Sequence, residues 1–195
     1  MIKTELKSYS YKKINSMVLI AIFTALTCVG GFIRIPMLPV PFSLQTLFVY
    51  FSGLLLGAQR SFLSQMLFLL MGLAGIPVFI RGGGPAYVLQ PSFGYLAAFP
   101  LSAYVCGKIS HDLNNHNFFK LLIACGSGSL IILGLGSLYL YLNFNYIIDT
   151  SIGFRKTLIT GFLVFLPAET VKCFITVWIT RKIIKIPVFN ELISK

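Results

Sequence analysis

Six long apolar stretches follow one another along this chain, and they constrain its fold more than any other feature of the sequence. They lie near residues 16–33, 42–58, 62–80, 92–108, 121–142 and 158–180. A helix that crosses the hydrocarbon layer of a bilayer needs about 20 mostly apolar residues. The chain has 195 residues, which leaves room for short connections only. We therefore expect an all-α polytopic membrane protein whose single domain is a compact bundle of six transmembrane helices.

The composition excludes the common soluble classes. Hydrophobic residues make up 56% of the chain and charged residues 11%, with a mean hydropathy of +0.85. About a quarter of a typical soluble domain is charged. A disordered chain, a soluble coiled coil and an ordinary water-soluble domain are therefore excluded.

Two of the stretches, 42–58 and 92–108, are short for spanning helices. The second of them contains Pro100, and proline removes a backbone N–H from the helical hydrogen-bond ladder. We expect a kink at Pro100, with neighbouring helices satisfying the freed backbone groups.

The basic residues predict an orientation. If both termini are cytoplasmic, eleven of the 16 Lys and Arg lie on the cytoplasmic side, namely Lys3, Lys7, Lys12, Lys13, Arg60, Lys108, Lys120, Arg181, Lys182, Lys185 and Lys195. The other side receives four, namely Arg34, Arg81, Arg155 and Lys156, and the sixteenth, Lys172, lies within the last stretch. This asymmetry agrees with the positive-inside rule. We interpret the basic segments 1–13 and 181–195 as cytoplasmic anchors that also attract anionic membrane lipids, with no nucleic-acid partner.

The cysteines do not indicate a metal site. Cys28, Cys106, Cys125 and Cys173 all lie within apolar stretches and form no CxxC pair. Buried cysteine commonly packs as a small hydrophobe. We therefore expect neither a metal nor a cofactor, and the lack of a Walker motif argues against nucleotide binding.

The most informative polar residues lie within the last apolar stretch, in the segment LPAETVK at 166–172. Glu169 and Lys172 are three residues apart, which places them on one face of a helix, and Thr176 extends that face by a turn. An ionisable group inside a membrane normally faces the bundle interior or a wet cavity. The two residues form either a structural ion pair that holds the bundle together or a clamp for a ligand.

A clamp of this kind has a definite chemistry. A carboxylate only accepts hydrogen bonds and an ammonium group only donates them. The pair therefore suits a compact ligand that both donates and accepts, such as a cyclic urea, an amide or a pyrimidine edge. A permanent cation would leave Lys172 without a role.

A glycine-rich segment, RGGGPAY at 81–87, connects the third and fourth stretches. Gly82, Gly83 and Gly84 allow positive φ angles and close approach to a ligand, whose acceptor atoms their N–H groups could receive. The same glycines would also suit a flexible connection. Arg81 could bind a carboxylate or anchor the loop at the headgroups.

Three polar or aromatic residues flank this segment. Tyr87, Gln90 and Tyr95 could supply an aromatic wall and further hydrogen bonds to a ligand. Tyrosine is also enriched at membrane interfaces, so a place in the aromatic belt is the alternative.

The connection between the first two stretches reads RIPMLPVP at 34–41, and Gln45 follows it as a further candidate for ligand binding. Three prolines prevent a helix and favour a stiff, extended segment. Because its other side chains are mostly apolar, the segment needs cover. It is either a lid over a cavity or a structural strap in the interface.

The first stretch contains Ala21 and Ala25, a small-xxx-small pattern that lets another helix approach closely. Packing within the bundle is one interpretation. A docking face for another membrane subunit is the other.

Taken in order, these segments resemble the BioY family, the biotin-binding S-components of energy-coupling factor (ECF) vitamin transporters. The resemblance is dense in IAIFTALTCVGGFIRIP, PVPFSLQTLFVYFSGLLLG, LSQMLFLLMGLAGIPVF, GGG and QPSFGYLAAF, and it returns at LPAETVK. In two places the residues differ from the family's pattern. Glu169 stands where the family usually has Asp, and Phe93 stands where a glycine of its PTGGY segment is expected.

The resemblance implies a six-helix fold that binds biotin near the outer face of a bacterial plasma membrane, beneath the loops after the first and third spans. It implies three partners, namely a transmembrane coupling protein, which would contact Ala21 and Ala25, and two cytoplasmic ATPase subunits. Glu169 and Lys172 match the family positions that hydrogen-bond biotin, whose ureido ring carries two N–H donors and a carbonyl acceptor. Arg81 or the glycine-loop amides are candidates for its carboxylate.

Two other functions remain open at this point. An S-component for another small vitamin or heterocycle would share these features. An intramembrane enzyme using Glu169 and Lys172 is the alternative from a different class, although the sequence offers neither a metal cluster nor a serine–histidine pair to support it. We expect a transporter subunit that is not an enzyme.

Overall fold

The computed structural model of the chain describes residues 2–36, 40–111, 117–148, 150 and 152–186, and it describes the side chains of these residues except those of 2–12 and 111. Residues 37–39 of the proline-rich connection and residues 187–195 of the predicted basic tail lie outside the described residues.

Helices make up nearly all of the regular structure in the described part of the chain. They are α1 (Ile2–Phe32), α2 (Gln45–Leu56), α3 (Ala58–Leu73), α4 (Phe93–Ala97), α5 (Phe99–His111), α6 (Phe118–Tyr146), α7 (Phe154–Leu158) and α8 (Leu166–Ile183). α4 and α5 form one interrupted helix, and α7 joins α8 through a π-helical turn at Ile159–Leu163. Counted this way, the described chain contains six helices, and the expected all-α bundle is confirmed.

Short irregular elements connect the helices at one end of the bundle. Strands β1 (Arg34–Ile35) and β2 (Phe42–Ser43) form an antiparallel hairpin between α1 and α2, with Arg34 opposite Ser43. A 3-10 helix (Pro85–Leu89) lies between α3 and α4. The Asn143 amide of α6 donates a hydrogen bond of 2.9 Å to the Leu89 carbonyl, which brings the C-terminal end of α6 to the same place. A cavity lies near this end of the bundle, which we therefore call the cavity end.

The surface of the bundle is that of a membrane protein. Three segments are long and apolar enough to cross a bilayer, namely Lys13–Phe32, Phe118–Tyr146 and Phe154–Ile183. Large apolar side chains such as Phe119, Phe154 and Trp178 are exposed by 71%, 62% and 58%. A soluble monomer rarely exposes so much apolar surface, but lipid covers it without cost.

The third helix ends earlier than the apolar pattern suggested, because its apolar stretch continues to Ile80 while α3 ends at Leu73. Gly75 adopts a φ of 103°, which favours glycine. The Ile76 N–H bonds to the Met71 carbonyl and the Gly75 N–H to the Gly72 carbonyl. This pair of bonds is a Schellman motif, which ends a helix through a left-handed residue.

The fourth helix is interrupted where a proline was expected to disturb it. α4 ends at Ala97 and α5 begins at Phe99, so that Pro100 occupies the first turn of the new helix. Proline is tolerated in a first turn because the N–H groups there have no partner within the helix.

A second proline interrupts the last helix. Pro167 lies in the first turn of α8, and Val164 and Phe165 separate this helix from the π-helical turn. Within that turn, the Gly161 carbonyl accepts a hydrogen bond of 2.8 Å from the Tyr95 hydroxyl of α4. The interruption starts a new helix just before Glu169 and Lys172, in the interior of the bundle.

Candidate binding site

The predicted acid and amine of the last helix face a cavity. It contains about 510 Å³ of space between protein atoms, part of it open to solvent, near the cavity end of the bundle. Its walls come from the β1–β2 connection, α2, the α3–α4 connection, α4, α5, α6 and α8. The lining residues are Val40, Pro41, Phe42, Ser43, Gln45, Thr46, Ile80, Tyr87, Ser92, Tyr95, Leu96, Phe99, Ile132, Leu133, Phe165, Glu169 and Lys172.

Glu169 and Lys172 form a buried ion pair. The Lys172 Nζ lies 2.7 Å from the Glu169 Oε1, and the exposed fractions of the two side chains are 4% and 5%. The i, i+3 spacing on α8 permits this contact, as the sequence indicated. A pair this deeply buried loses the hydration of both charges, so further hydrogen bonds must compensate.

Two side chains of α2 supply such bonds to Glu169. The Thr46 hydroxyl donates to Oε1 at 2.9 Å, and the Tyr50 hydroxyl donates to Oε2 at 2.6 Å. Both residues are buried. α2 therefore holds the carboxylate in place through two direct hydrogen bonds.

Lys172 in turn holds the hairpin. Its ammonium group donates to the Ser43 carbonyl at 2.7 Å and to the Thr46 hydroxyl at 2.8 Å. Nζ also lies 3.9 Å from the centre of the Phe42 ring, which is a cation–π contact. The connection after α1 is thus fastened to α8 through one lysine, an arrangement that fits both the lid and the strap expected for it.

The hydrogen-bonding capacity of the pair is unequally used. An ammonium group has three donors, and Lys172 uses all three on Glu169, Thr46 and Ser43. An ionised carboxylate offers about four acceptor sites. Three of those on Glu169 are taken by Lys172, Thr46 and Tyr50. A ligand can therefore donate to Glu169 directly, whereas it can accept from Lys172 only by replacing or sharing an existing bond.

Gln45 is a second source of hydrogen bonds. Its side chain lines the cavity and is fully buried. Its Oε1 accepts a bond of 3.3 Å from the Ser43 hydroxyl, and its Nε2 has no partner among the described residues. An unpaired buried donor costs about 1–3 kcal/mol. A ligand carbonyl at this position would remove that cost.

Aromatic and aliphatic side chains form the rest of the wall. Tyr95 is held against Phe165 with ring centroids 6.2 Å apart, and Tyr87 packs on Phe79 at 4.6 Å. Gly136 of α6 makes room for Tyr95, because a Cβ there would lie 2.2 Å from its ring. The large ring of Phe93 packs on Tyr139 of α6, with centroids 5.9 Å apart, and is not among the lining residues.

The glycine segment has a different geometry from the cavity wall. Gly82, Gly83 and Gly84 do not line the cavity, and neither do Arg81 and Gln90. The Gly82 N–H donates to Phe79 and the Gly84 N–H donates to Gly72 at 2.7 Å. Gly82 and Gly84 have φ angles of 111° and 110°. These glycines therefore form an ordered turn against the end of α3, and the two named amides already have partners.

Ala21 and Ala25 lie away from the cavity. Both are exposed on α1, beside the exposed side chains of Val18, Ile22 and Val29. Neither alanine is among the lining residues of the cavity.

Four residues of the site were not predicted from the sequence, namely Ser43, Thr46, Tyr50 and Phe165. Thr46 and Tyr50 are four residues apart in an apolar stretch, so they share one helix face. This polar i, i+4 pair was a signal that could have indicated them. Ser43 contributes a backbone carbonyl, for which the sequence contains no signal.

Fold and site together define a small polytopic membrane protein with a buried, charged and aromatic-walled cavity for a compact polar ligand. The chain belongs to the BioY family, whose model matches residues 3–187. The match confirms the resemblance seen in the sequence.

Individual relatives agree with this assignment. The chain is 41% identical to the "Probable biotin transporter BioY" of Lysinibacillus sphaericus over 148 residues, which cover 76% of each protein. It is 35% identical to the "Biotin transporter BioY" of Thermotoga maritima, over 86% of this chain and 94% of that one. The crystal structure of the S-component for biotin from an ECF-type ABC transporter superposes with a TM-score of 0.82 at 30% identity, covering 94% of this chain and 97% of that one.

Proposed function

We propose that this protein is the substrate-binding membrane subunit of an ECF-type vitamin importer and that its ligand is biotin. The observation that carries the proposal is the buried Glu169–Lys172 pair facing a cavity with apolar walls. A pair whose only role is structural has no need of a cavity beside it. The names of the relatives support biotin as the ligand and a transporter subunit, not an enzyme, as the class.

The chemistry of the cavity suits biotin at three points. A ureido N–H can donate to the remaining acceptor site on Glu169 Oε2. The ureido carbonyl can accept from Gln45 Nε2, or from Lys172 if the Ser43 bond is exchanged. The thioether ring and the alkyl chain can pack against Tyr95, Tyr87 and Phe165.

The proposed arrangement in the membrane follows the charges. The cavity end faces the outside of a bacterial plasma membrane, and both termini are cytoplasmic, in agreement with the positive-inside rule. Arg81 and the glycine turn would then lie at the outer rim, where they remain candidates for the ligand carboxylate.

The partners would be a transmembrane coupling protein and two cytoplasmic ATPase subunits, with membrane lipids around them. Ala21 and Ala25 are exposed with small side chains, which suits close approach of a partner helix. The chain binds its ligand, and ATP hydrolysis in the partner subunits drives uptake.

Calorimetry on the purified protein tests the proposal. We expect the wild-type chain to bind biotin and Glu169→Gln to weaken binding by about 10- to 100-fold, because a hydrogen bond to a charged group contributes about 1.5–3 kcal/mol. Thr170→Val is the matched control, since Thr170 is exposed on the same helix turn and is not among the lining residues. Wild-type affinity in Glu169→Gln would contradict the site. Stronger binding of another vitamin would contradict the ligand.

A further inference from the structure

A second cavity lies beside the first at the cavity end. It contains about 470 Å³ of space, part of it open to solvent, between the end of α1, strand β1 and the turn at 77–82. Ile80 lines both cavities, so the two are separated there by a single residue. We call the first one the main cavity and the second one the side cavity.

The side cavity combines one cation with an apolar floor. Arg34 lines it, together with Phe32, Val78 and Ile80. Arg34 is exposed and has no acidic partner among the described residues. A guanidinium binds a carboxylate through two parallel hydrogen bonds, and apolar side chains beside it suit an alkyl chain.

The charges at this end favour an anion. Arg34, Arg81, Arg155 and Lys156 are all exposed there. Among the side chains that the structure describes, Glu169 is the one acid, and it lies inside the main cavity, while Asp149 of the connection between α6 and α7 lies outside the described residues. Fixed charges of one sign raise the local concentration of oppositely charged ligands and speed their association.

The hairpin of β1 and β2 borders both cavities. Arg34 is paired with Ser43 across β1 and β2. The Ser43 carbonyl accepts the hydrogen bond from Lys172 inside the main cavity. A ligand held on Arg34 therefore lies against the segment that Lys172 fastens.

We propose that the side cavity is a docking site for the carboxylate end of the ligand, where Arg34 captures an amphipathic organic anion before its ring passes Ile80 into the main cavity. The inference rests on the proposed function in so far as biotin is the anion. Arg34 then acts on the rate of association. It contributes little to the lifetime of the final complex.

Rapid-filtration kinetics with radiolabelled biotin test this, on full-length protein in a neutral detergent at low ionic strength. We expect Arg34→Gln to lower the association rate constant about 3- to 10-fold and to leave the dissociation rate constant unchanged. Arg155→Gln is the matched control, because Arg155 is exposed at the same end and lines neither cavity. We expect the association rate constant of Arg155→Gln to fall by less than about 2-fold.

The neutral alcohol analogue of biotin separates the docking site from other roles of Arg34. Its association rate should be the same in wild type and Arg34→Gln. Three results would overturn the proposal. The association rate of the alcohol falls as much as that of biotin in Arg34→Gln, the association rate of biotin falls equally in Arg155→Gln, or only the dissociation rate constant changes in Arg34→Gln. An effect seen only in phosphatidylglycerol nanodiscs would also overturn it, since that result assigns the side cavity to a lipid headgroup. If wild-type protein binds no biotin at equilibrium, the proposed function itself fails.

Discussion

Breaking the Glu169–Lys172 pair from one side should cost far more stability than removing it entirely. In Lys172→Met the carboxylate keeps the Thr46 and Tyr50 hydroxyls but loses the one cation that pairs with it among the described residues, while remaining about 95% buried. Removing one partner of a buried pair costs about 3–5 kcal/mol. The lost bond from Lys172 to Ser43 and the contact with Phe42 place the expected value toward the upper part of that range.

The double variant Glu169→Gln/Lys172→Met should recover much of this loss. Glutamine keeps the shape of the carboxylate, and no charge is left buried. Its amide oxygen can accept from one of the two hydroxyls of Thr46 and Tyr50, and its NH2 group can donate to the other. Replacing a buried ion pair by neutral side chains of similar volume is often close to neutral in stability. We therefore expect the double variant to lie within about 1–2 kcal/mol of wild type, although it should bind biotin poorly.

Thermal unfolding of ligand-free protein in detergent measures the effect. For a chain of this size about 1 kcal/mol corresponds to a shift of roughly 2–4 °C in Tm, so Lys172→Met should lose roughly 6–20 °C. A loss of Tm below about 2 °C in Lys172→Met would refute the reasoning. So would a loss of Tm in the double variant that equals or exceeds the sum of the losses in the two single variants. Biotin titrations of the same proteins then separate the two interpretations of the pair. A pair that only holds the bundle would leave the affinity of the double variant unchanged.

Three further predictions follow from named contacts. Tyr50→Phe removes the 2.6 Å bond to Glu169 Oε2 and should cost about 1.5–3 kcal/mol of stability in thermal unfolding; an unchanged Tm would show that this bond does not hold the carboxylate. Gly136→Ala places a Cβ 2.2 Å from the Tyr95 ring and should cost about 1–3 kcal/mol of stability in thermal unfolding. Gly134→Ala is its control on the same helix, because a Cβ there meets no atom within 4 Å, and an equal loss in both would contradict the packing argument. Tyr139→Phe removes the bond that the Tyr139 hydroxyl donates to the Val88 carbonyl, so amide hydrogen exchange in the 3-10 helix at 85–89 should speed up by about 2- to 10-fold, whereas unchanged exchange would show that the bond does not hold this helix.

The charged pair shows which part of the site could be predicted from the sequence. Two ionisable groups three residues apart in an apolar stretch have to face the interior, because lipid does not solvate them. Thr46 and Tyr50 could have been recognised by the same reasoning applied to α2. Their bonds to Glu169 span more than a hundred residues of sequence, and no local pattern specifies which helix faces which.

The glycine segment shows the opposite case. Three glycines in a row permit close approach and left-handed backbone, but the pattern does not say whether the partner is a ligand or the protein itself. In the structure the Gly84 amide bonds to the carbonyl of Gly72 at the end of α3. That partner could not be read locally, because it depends on where α3 ends, and a left-handed Gly75 ends the helix before its apolar stretch does.

Hydropathy along the sequence alone determined that this chain is a helical membrane protein, since the cost of burying a backbone polar group in lipid leaves few other ways to span a bilayer. It also determined that Glu169 and Lys172 lie in the interior. Only the tertiary structure decided that both charges are met by α2 and the hairpin, and that they border a cavity. The physical reason is the separation along the sequence between the residues that interact. Hydropathy acts residue by residue along each helix, whereas hydrogen bonds a few ångströms long exist only once distant helices have packed together.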